Sequence, residues 1–334
     1  MSPKTRLLVW GGGFIIIVLT YLSLWQSANW VFNDRSLSNP QIVSLMDSRV
    51  LSKATWAFAD SAGGVRVINF LFHLCNTVLV GLILKRLINS ELVAATVTIL
   101  WSLNVVNVEA VAYAGGRPDL LAMMGVLIAT LAAMGGGLYW PLWAIAGTIL
   151  GLLGKESAIV ALFTIPLMRF AVNRSWKVES TLCAVLAVIS IGLWGGPHSI
   201  INMEIHSESV TMVNWFLIQS TAVIRLIGVT FFIASPTIDY DYDLIPVIVR
   251  FVAAAGFILA SIVTFWYLRS GKRWAVGAAW LVLTILPRMF VQTPRSYLNE
   301  HQFYISGLGM AILVVGLLGG REMINATTNH TSSV

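Results

Sequence analysis

The chain reads as an all-α polytopic membrane protein, a bundle of about ten transmembrane helices. Two observations carry that reading. Of 334 residues, 57% are hydrophobic and 11% charged, whereas soluble domains run at roughly 45–50% apolar and about 25% charged. The apolar residues are also gathered into runs close to the length that crosses a bilayer, separated by short polar turns. The formal net charge of +6 comes from Lys and Arg placed singly or in pairs between those runs. A nucleic-acid-binding protein would gather them into a stripe, so nucleic acid is excluded as a partner and the basic excess is a topology signal.

The first run, residues 7–25, follows Lys4 and Arg6 and has no small-residue cleavage site before the polar stretch 26–33. It reads as a retained first span with a cytoplasmic N-terminus. Further runs lie at 66–84, 92–105, 119–135, 140–153, 158–173, 179–195, 244–268, 274–291 and 303–319. An eleventh candidate, 213–235, carries Gln219 and Arg225 in its middle. Counting it as a span would put Arg269, Lys272 and Arg273 on the outer side, against the positive-inside rule. The expectation is therefore an interfacial or re-entrant helix on the outer face. The cytoplasmic set then includes Lys85, Arg86, Arg169, Arg174, Lys177 and Arg321, while most acids fall in or beside outer segments. The transmembrane part is expected to form one domain over 1–319, followed by a short polar cytoplasmic tail, 320–334.

Cys75 and Cys183 each lie inside an apolar run and make neither a disulfide framework nor a metal spacing. There is no GxxxxGK[ST] loop to bind ATP. The glycine triplets at 11–13 and 135–137 permit close helix packing or tight turns.

Polar residues cluster at the expected outer helix ends. Asp34, beside Arg35, stands a few residues beyond the first span, where a carboxylate can take the proton of an acceptor hydroxyl; an exposed turn before Asn39-Pro40 is the plainer reading. Between two spans lie Asn107, Glu109, Gly115-Gly116-Arg117 and Pro118-Asp119. A guanidinium beside glycines that bare their amides suits a phosphate. Equally, Asp119 can cap the next helix while Arg117 pairs with Glu109. Lys155-Glu156 joins two hairpinned spans, and a lysine at membrane depth is costly unless paired or functional. Asp239, Asp241 and Asp243 alternate, so an extended segment would turn them to one face, where they could hold a divalent cation; an unpaired acidic loop is the alternative. Arg288, Arg295, Glu300, His301 and Tyr304 gather around the last outer loop, with Pro287 and Pro294. His73, in the second span, reads as a helix-packing hydrogen bonder.

The run from Leu100 through Asn107-Val108-Glu109-Ala110-Val111, followed by Gly116-Arg117-Pro118-Asp119-Leu120-Leu121, resembles the "hPvhvEaV…sGRadLL" signature of the transmembrane O-mannosyltransferase and TPR-containing glycosyltransferase group of the GT-C superfamily. Further matches come in the expected order: Asn33-Asp34 with Asn39, Arg49 onward with His73 and Asn76, Gly154-Lys155-Glu156, Pro236 through Asp241, and Asn299-Glu300-His301-Gln302-Phe303-Tyr304 against a pattern like "aERYLY". They run from about residue 30 to 310. The resemblance implies a GT-C-like bundle that moves a sugar, with inversion, from a polyprenyl-phosphate carrier to an acceptor on the outer face. It implies Asp34 as the residue that deprotonates or positions the acceptor. Arg117 and Lys155, with Arg295, would hold the donor phosphate. Arg35, Asn107, Glu109, Asp119, Glu156, Asp239, Asp241, Glu300, His301 and Tyr304 would support the site or the acceptor. The sequence departs from the pattern at Asn33, where the group has a second acid, at Asn104-Val105 for His-Pro, and at His301 for Arg. The first departure tells against a metal held by paired carboxylates, and no cofactor is assigned. The repeats that often follow the membrane part are missing.

The expected function is a membrane glycosyltransferase of the bacterial inner membrane, with cytoplasmic termini and a periplasmic active site. Its partners are a polyprenyl-phosphate sugar, an envelope glycan such as O-antigen or a protein acceptor, and the bilayer. The competing class is a transporter or flippase of a lipid-linked sugar or small anion. Transporters place charges near the midplane, often in repeated halves, whereas here charges lie at helix ends.

Overall fold

A computed structural model describes residues 1–26, 49–56, 61–88, 90–173, 183, 185–187, 211–236, 245–290 and 300–318. Among them there is no strand, as expected where no water pairs with an open backbone. The helices are α1 (Pro3–Gln26), α2 (Val50–Trp56), α3 (Ala62–Leu87), α4 (Glu91–Ser102), α5 (Val105–Ala112), α6 (Arg117–Gly135), α7 (Trp140–Gly154), α8 (Ala161–Asn173), α9 (Met212–Thr230), α10 (Val247–Arg269), α11 (Trp274–Phe290) and α12 (Glu300–Leu318). Short 3-10 turns at Ala114–Gly116 and Glu156–Val160 lead into α6 and α8.

Six of the described helices (α1, α3, α6, α9, α10 and α12) are long and apolar enough to cross a bilayer, as in an α-helical polytopic membrane protein. The count rises to seven if α4 and α5, bent 55° at their break, form one span. The sequence reading of about ten is finer than this. Runs 140–153 and 274–291 give helices of 15 and 17 residues. Run 158–173 opens on a 3-10 turn and leaves only 13 residues of α-helix. Run 179–195 lies mostly outside the described residues, as does the tail. By length and composition the re-entrant candidate is itself one of the six, α9.

Local chemistry sets the helix ends. Ser61 accepts from Gly64 N (3.1 Å) and Ser90 from Val93 N (3.3 Å), each satisfying an orphan amide of a first turn. Asn104 accepts from Val106 N at 3.1 Å and donates to Thr230 O at 3.0 Å, which fixes the α4/α5 bend against the end of α9. Gly136 and Gly137 adopt φ of 65° and 82° and turn the chain from α6 into α7, a conformation that costs glycine little.

The tightest helix pairs are built on glycine. A Cβ on Gly147 would stand 2.7 Å from Ala129 N and 2.8 Å from Gly125 O, so α6 and α7 touch backbone to backbone through a small-xxx-small stripe, Gly147 to Gly151. In the same way a Cβ on Gly309 of α12 would stand 2.7 Å from Leu281 N of α11. The main core joins α3, α4, α6, α7, α8, α11 and α12, with Leu120, Met123, Trp280 and Tyr304 essentially sealed. The face of α10, with Val252, Leu259, Ile262 and Trp266 exposed, is apolar in the way a lipid-facing helix must be.

Candidate functional site

Helices α6 and α7 bring the start of one and the end of the other to the same corner of the bundle. There Lys155 leaves α7 with an extended backbone, φ −161° and ψ 148°, so its side chain and that of Glu156 take different partners. Lys155 Nζ donates to both oxygens of Asp119 at 2.8 Å, and both side chains are buried. Glu156 receives a fork from Arg49, Nε at 3.1 Å and Nη2 at 2.7 Å. Ser52 donates to Gly154 O at 2.8 Å, tying α2 to the same corner. Arg288 of α11 lies near enough for the charges of Asp119, Glu156 and Arg49 to act on it. Among the described residues the corner thus sets Arg49 on Glu156 and Lys155 on Asp119, with Arg288 within reach of their charges.

Burial alone would raise the Glu156 carboxyl, but the charge of Arg49, then that of Lys155, and the hydrogen bond from Arg49 outweigh it and hold the group below its ordinary range. For Arg49, burial acts to lower the pKa, and the Glu156 charge and hydrogen bond reverse this to a net rise. Both groups are therefore ionised at neutral pH.

Arg117, at the start of α6, is fully buried. Its Nε donates to Asn69 Oδ1 at 2.8 Å and its Nη2 to Val65 O at 3.1 Å, while Nη1 has no hydrogen-bond partner. Asn69 in turn donates to Val111 O at 3.2 Å and Tyr113 O at 3.0 Å. Arg117 does not pair with Glu109. That carboxylate instead accepts from the His301 backbone N at 2.8 Å, holding the first turn of α12. His301 Nδ1 stands 2.9 Å from its other oxygen, but without an aligned N–H, so the backbone bond is the firmer tie. Asp119 does not cap α6 with its side chain; Gly116 occupies the cap position without a side-chain bond.

A third group of polar residues seals the middle of the bundle. His73 Nε2 faces Ser102 O at 3.1 Å, and a carbonyl only accepts, so in the neutral ring Nε2 carries the proton. Nδ1 then accepts from Tyr304 OH at 2.7 Å, and Tyr304 accepts from Asn76 Nδ2 at 3.4 Å. Tyr21 OH donates to Ser102 O at 3.0 Å and Asn107 to Trp101 O at 2.6 Å. His73 is thus the interhelical hydrogen bonder its position implied. Glu300 is buried at the start of α12.

Asp34, Arg35, Asp239, Asp241 and Arg295 lie outside the described residues. Among the described residues no group of three or more His, Cys, Asp or Glu is placed to hold a metal ion. Sequence reasoning did not join Arg49 and Arg288 to Lys155. The available signal was an arginine after Pro287 inside an otherwise apolar run, costly in a membrane unless it serves a site.

Among the described residues, α8, α9, α10 and α11 flank an open groove of about 1350 Å³ with Phe163, Phe216, Phe257, Ile262 and Phe290 in its wall and Arg269 among the few polar groups; none of the corner side chains lines it. Two of its walls lead back to the charges: α8 follows directly on the turn that carries Glu156, and Phe290 stands two residues beyond Arg288. The volume exceeds the roughly 300–1,000 Å³ of sites for drug-sized ligands, and its apolar lining suits a hydrocarbon chain. No protein-family model, no curated protein and no solved structure matches this chain.

Proposed function

We propose that the chain is a membrane glycosyltransferase that moves a sugar from a polyprenyl-phosphate donor to an envelope glycan or protein acceptor. The observation that carries the reading is the gathering of Lys155, Arg49 and Arg288 at one corner, on elements that run on in the chain into helices flanking an apolar groove. Together they match the two halves of a lipid phosphate, and the resemblance at Gly116-Arg117-Pro118-Asp119 and Gly154-Lys155-Glu156 falls on the same corner. Lys155, Arg49 and Arg288 would balance the donor phosphate, whose charge grows as the bond to the sugar breaks; in a poorly screened site such fixed cations act strongly on the transition state. Arg295 is proposed as a further phosphate ligand, whereas Arg117, fully buried on Asn69 and Val65, would act on the phosphate only through its charge.

In the reaction, the acceptor oxygen attacks the anomeric carbon, the carbon–oxygen bond to phosphate breaks, and the lipid phosphate leaves with the electron pair. Asp34 takes the acceptor proton, and the configuration at carbon inverts. The site faces the periplasm of a bacterial inner membrane, with both termini cytoplasmic. Glu109 and His301 would shape the acceptor side with Arg35, Asp239 and Asp241, and Glu300, Tyr304 and Asn107, all buried, would support it from within the bundle.

One observation favours a second reading. The groove reaches toward Arg269 at one end and Phe290 at the other, a path a lipid flippase would also use. Protein reconstituted in vesicles with radiolabelled polyprenyl-phosphate sugars separates the two. A transferase releases free polyprenyl phosphate and labels an acceptor; a flippase moves the intact donor between leaflets. Movement of label without cleavage overturns the transferase reading.

A further inference from the structure

The two ion pairs at the corner differ in accessibility. Lys155 and Asp119 are sealed, with side chains 9% and 2% exposed, whereas Arg49 and Glu156 stand at 40% and 28%. An incoming ligand can reach only the second pair. Arg49 also has a backbone φ of 63°, a left-handed conformation that non-glycine residues seldom adopt and that gathers where function overrides local preference. Its Nε and Nη2 already form a fork on two carboxylate oxygens, the geometry that also takes two oxygens of a phosphate. Glu156, for its part, does not depend on Arg49 alone: the charge of Lys155 also acts on it.

We propose that Arg49 is an ion-exchange residue: the phosphate of a lipid ligand displaces Glu156 from the Arg49 fork, and Glu156 stays compensated by Lys155. This rests on the reading of the corner as a lipid-phosphate site and adds a working part to it. Glu156 is then an internal competitor that fills the site when no ligand is bound. No covalent bond forms or breaks.

The proposal predicts an unusual sign. Removing the Glu156 charge should tighten anion binding even though it breaks an ion pair. The full chain, purified in lipid nanodiscs, is titrated by calorimetry with farnesyl phosphate, and inorganic phosphate is run alongside. Glu156→Gln is expected to bind farnesyl phosphate about five- to tenfold more tightly, the effect of removing one partly screened opposing charge. Arg49→Gln should weaken binding by about tenfold, and Arg49→Lys, which keeps the charge but loses the fork, should fall between. If the pair is structural only, Glu156→Gln leaves affinity unchanged or lowers it along with the melting temperature, which overturns the exchange. Should Glu156→Gln not fold, Arg49→Lys decides: affinity equal to wild type overturns the fork. Equal affinity for inorganic phosphate overturns the lipid assignment. A wild type that binds neither probe removes the phosphate reading of the corner itself, a result distinct from wild-type binding that Glu156→Gln fails to tighten.

Discussion

The two ends of α6 use their cations in opposite ways. At its C-terminal end Arg86 donates to Leu131 O at 2.6 Å and Arg169 to Ala133 O at 3.1 Å, with Arg169 also 4.8 Å above the Trp140 ring. There the cations meet last-turn carbonyls at the negative end of a helix dipole, a stabilising arrangement that needs no partner from outside. At its N-terminal end Arg117 and Lys155 stand beside the positive end of the same dipole, where only Asp119 is favourably placed. Arg117 is buried with one nitrogen unpaired, and Lys155 depends on the carboxylate of Asp119. One end is satisfied by helix carbonyls alone, and the other needs side-chain partners.

If that contrast is right, the largest effects lie at the N-terminal end. Asp119→Ala should cost about 3–5 kcal/mol by leaving the Lys155 ammonium buried and alone, and the double variant Asp119→Leu with Lys155→Met should recover most of the loss. Thermal unfolding in detergent reads both; an additive double variant would mean the two side chains do not act as a pair. Next comes the helix contact that creates the corner. Gly147→Val should destabilise by about 1–3 kcal/mol, because its side chain would press on the backbone of Ala129 and Gly125. The same substitution at Gly12, which meets nothing within 4 Å, should leave the melting temperature almost unchanged.

A smaller effect is set by pH. The folded Glu156 carboxyl lies below its unfolded value, so the tie to Arg49 is fully present above about pH 4.3 and is lost as pH falls through the folded value. The melting-temperature gap between wild type and Glu156→Gln should therefore hold steady from pH 7 to about 4.3 and close only below that. A gap that closes between pH 6 and 7 would contradict the depressed carboxyl. Smallest of all, Arg86→Gln should cost about 0.3–1 kcal/mol, the size of a cation's interaction with a helix C-terminus, and should not alter ligand binding.

Part of this was legible in the sequence. The all-helical membrane class follows from apolar runs, since backbone groups in a bilayer must pair within their own segment. The polar residues that matter were also visible, because Arg, Lys and Asp in apolar runs stand out. Their partners were not. Adjacency made Lys155 and Glu156 look like a pair, yet the extended backbone at Lys155 parts them, and each finds its partner on another element, Asp119 and Arg49. Arg117 and Glu109 looked like neighbours, but the 3-10 turn between α5 and α6 turns Arg117 inward to Asn69, while Glu109 takes the start of α12. Such choices depend on how closely helices approach, which glycines such as Gly125 and Gly147 permit without showing which helix will come near. Span count was blurred for a related reason: periodic apolar runs do not reveal a bend such as that at Leu103-Asn104 or a 3-10 start such as Glu156–Val160.

The most direct test of the central claim compares wild type with Asp34→Asn at matched membrane levels in a host that supplies polyprenyl-phosphate sugars, reading surface glycans and envelope proteins by mass spectrometry. Glycosyl transfer with Asp34 as proton acceptor predicts a sugar-sized mass increment with wild type and its loss in the variant. An increment that survives in Asp34→Asn would contradict the assignment of the base, and its absence from both, with donor shown to be present and acceptor supplied, would contradict the transferase itself.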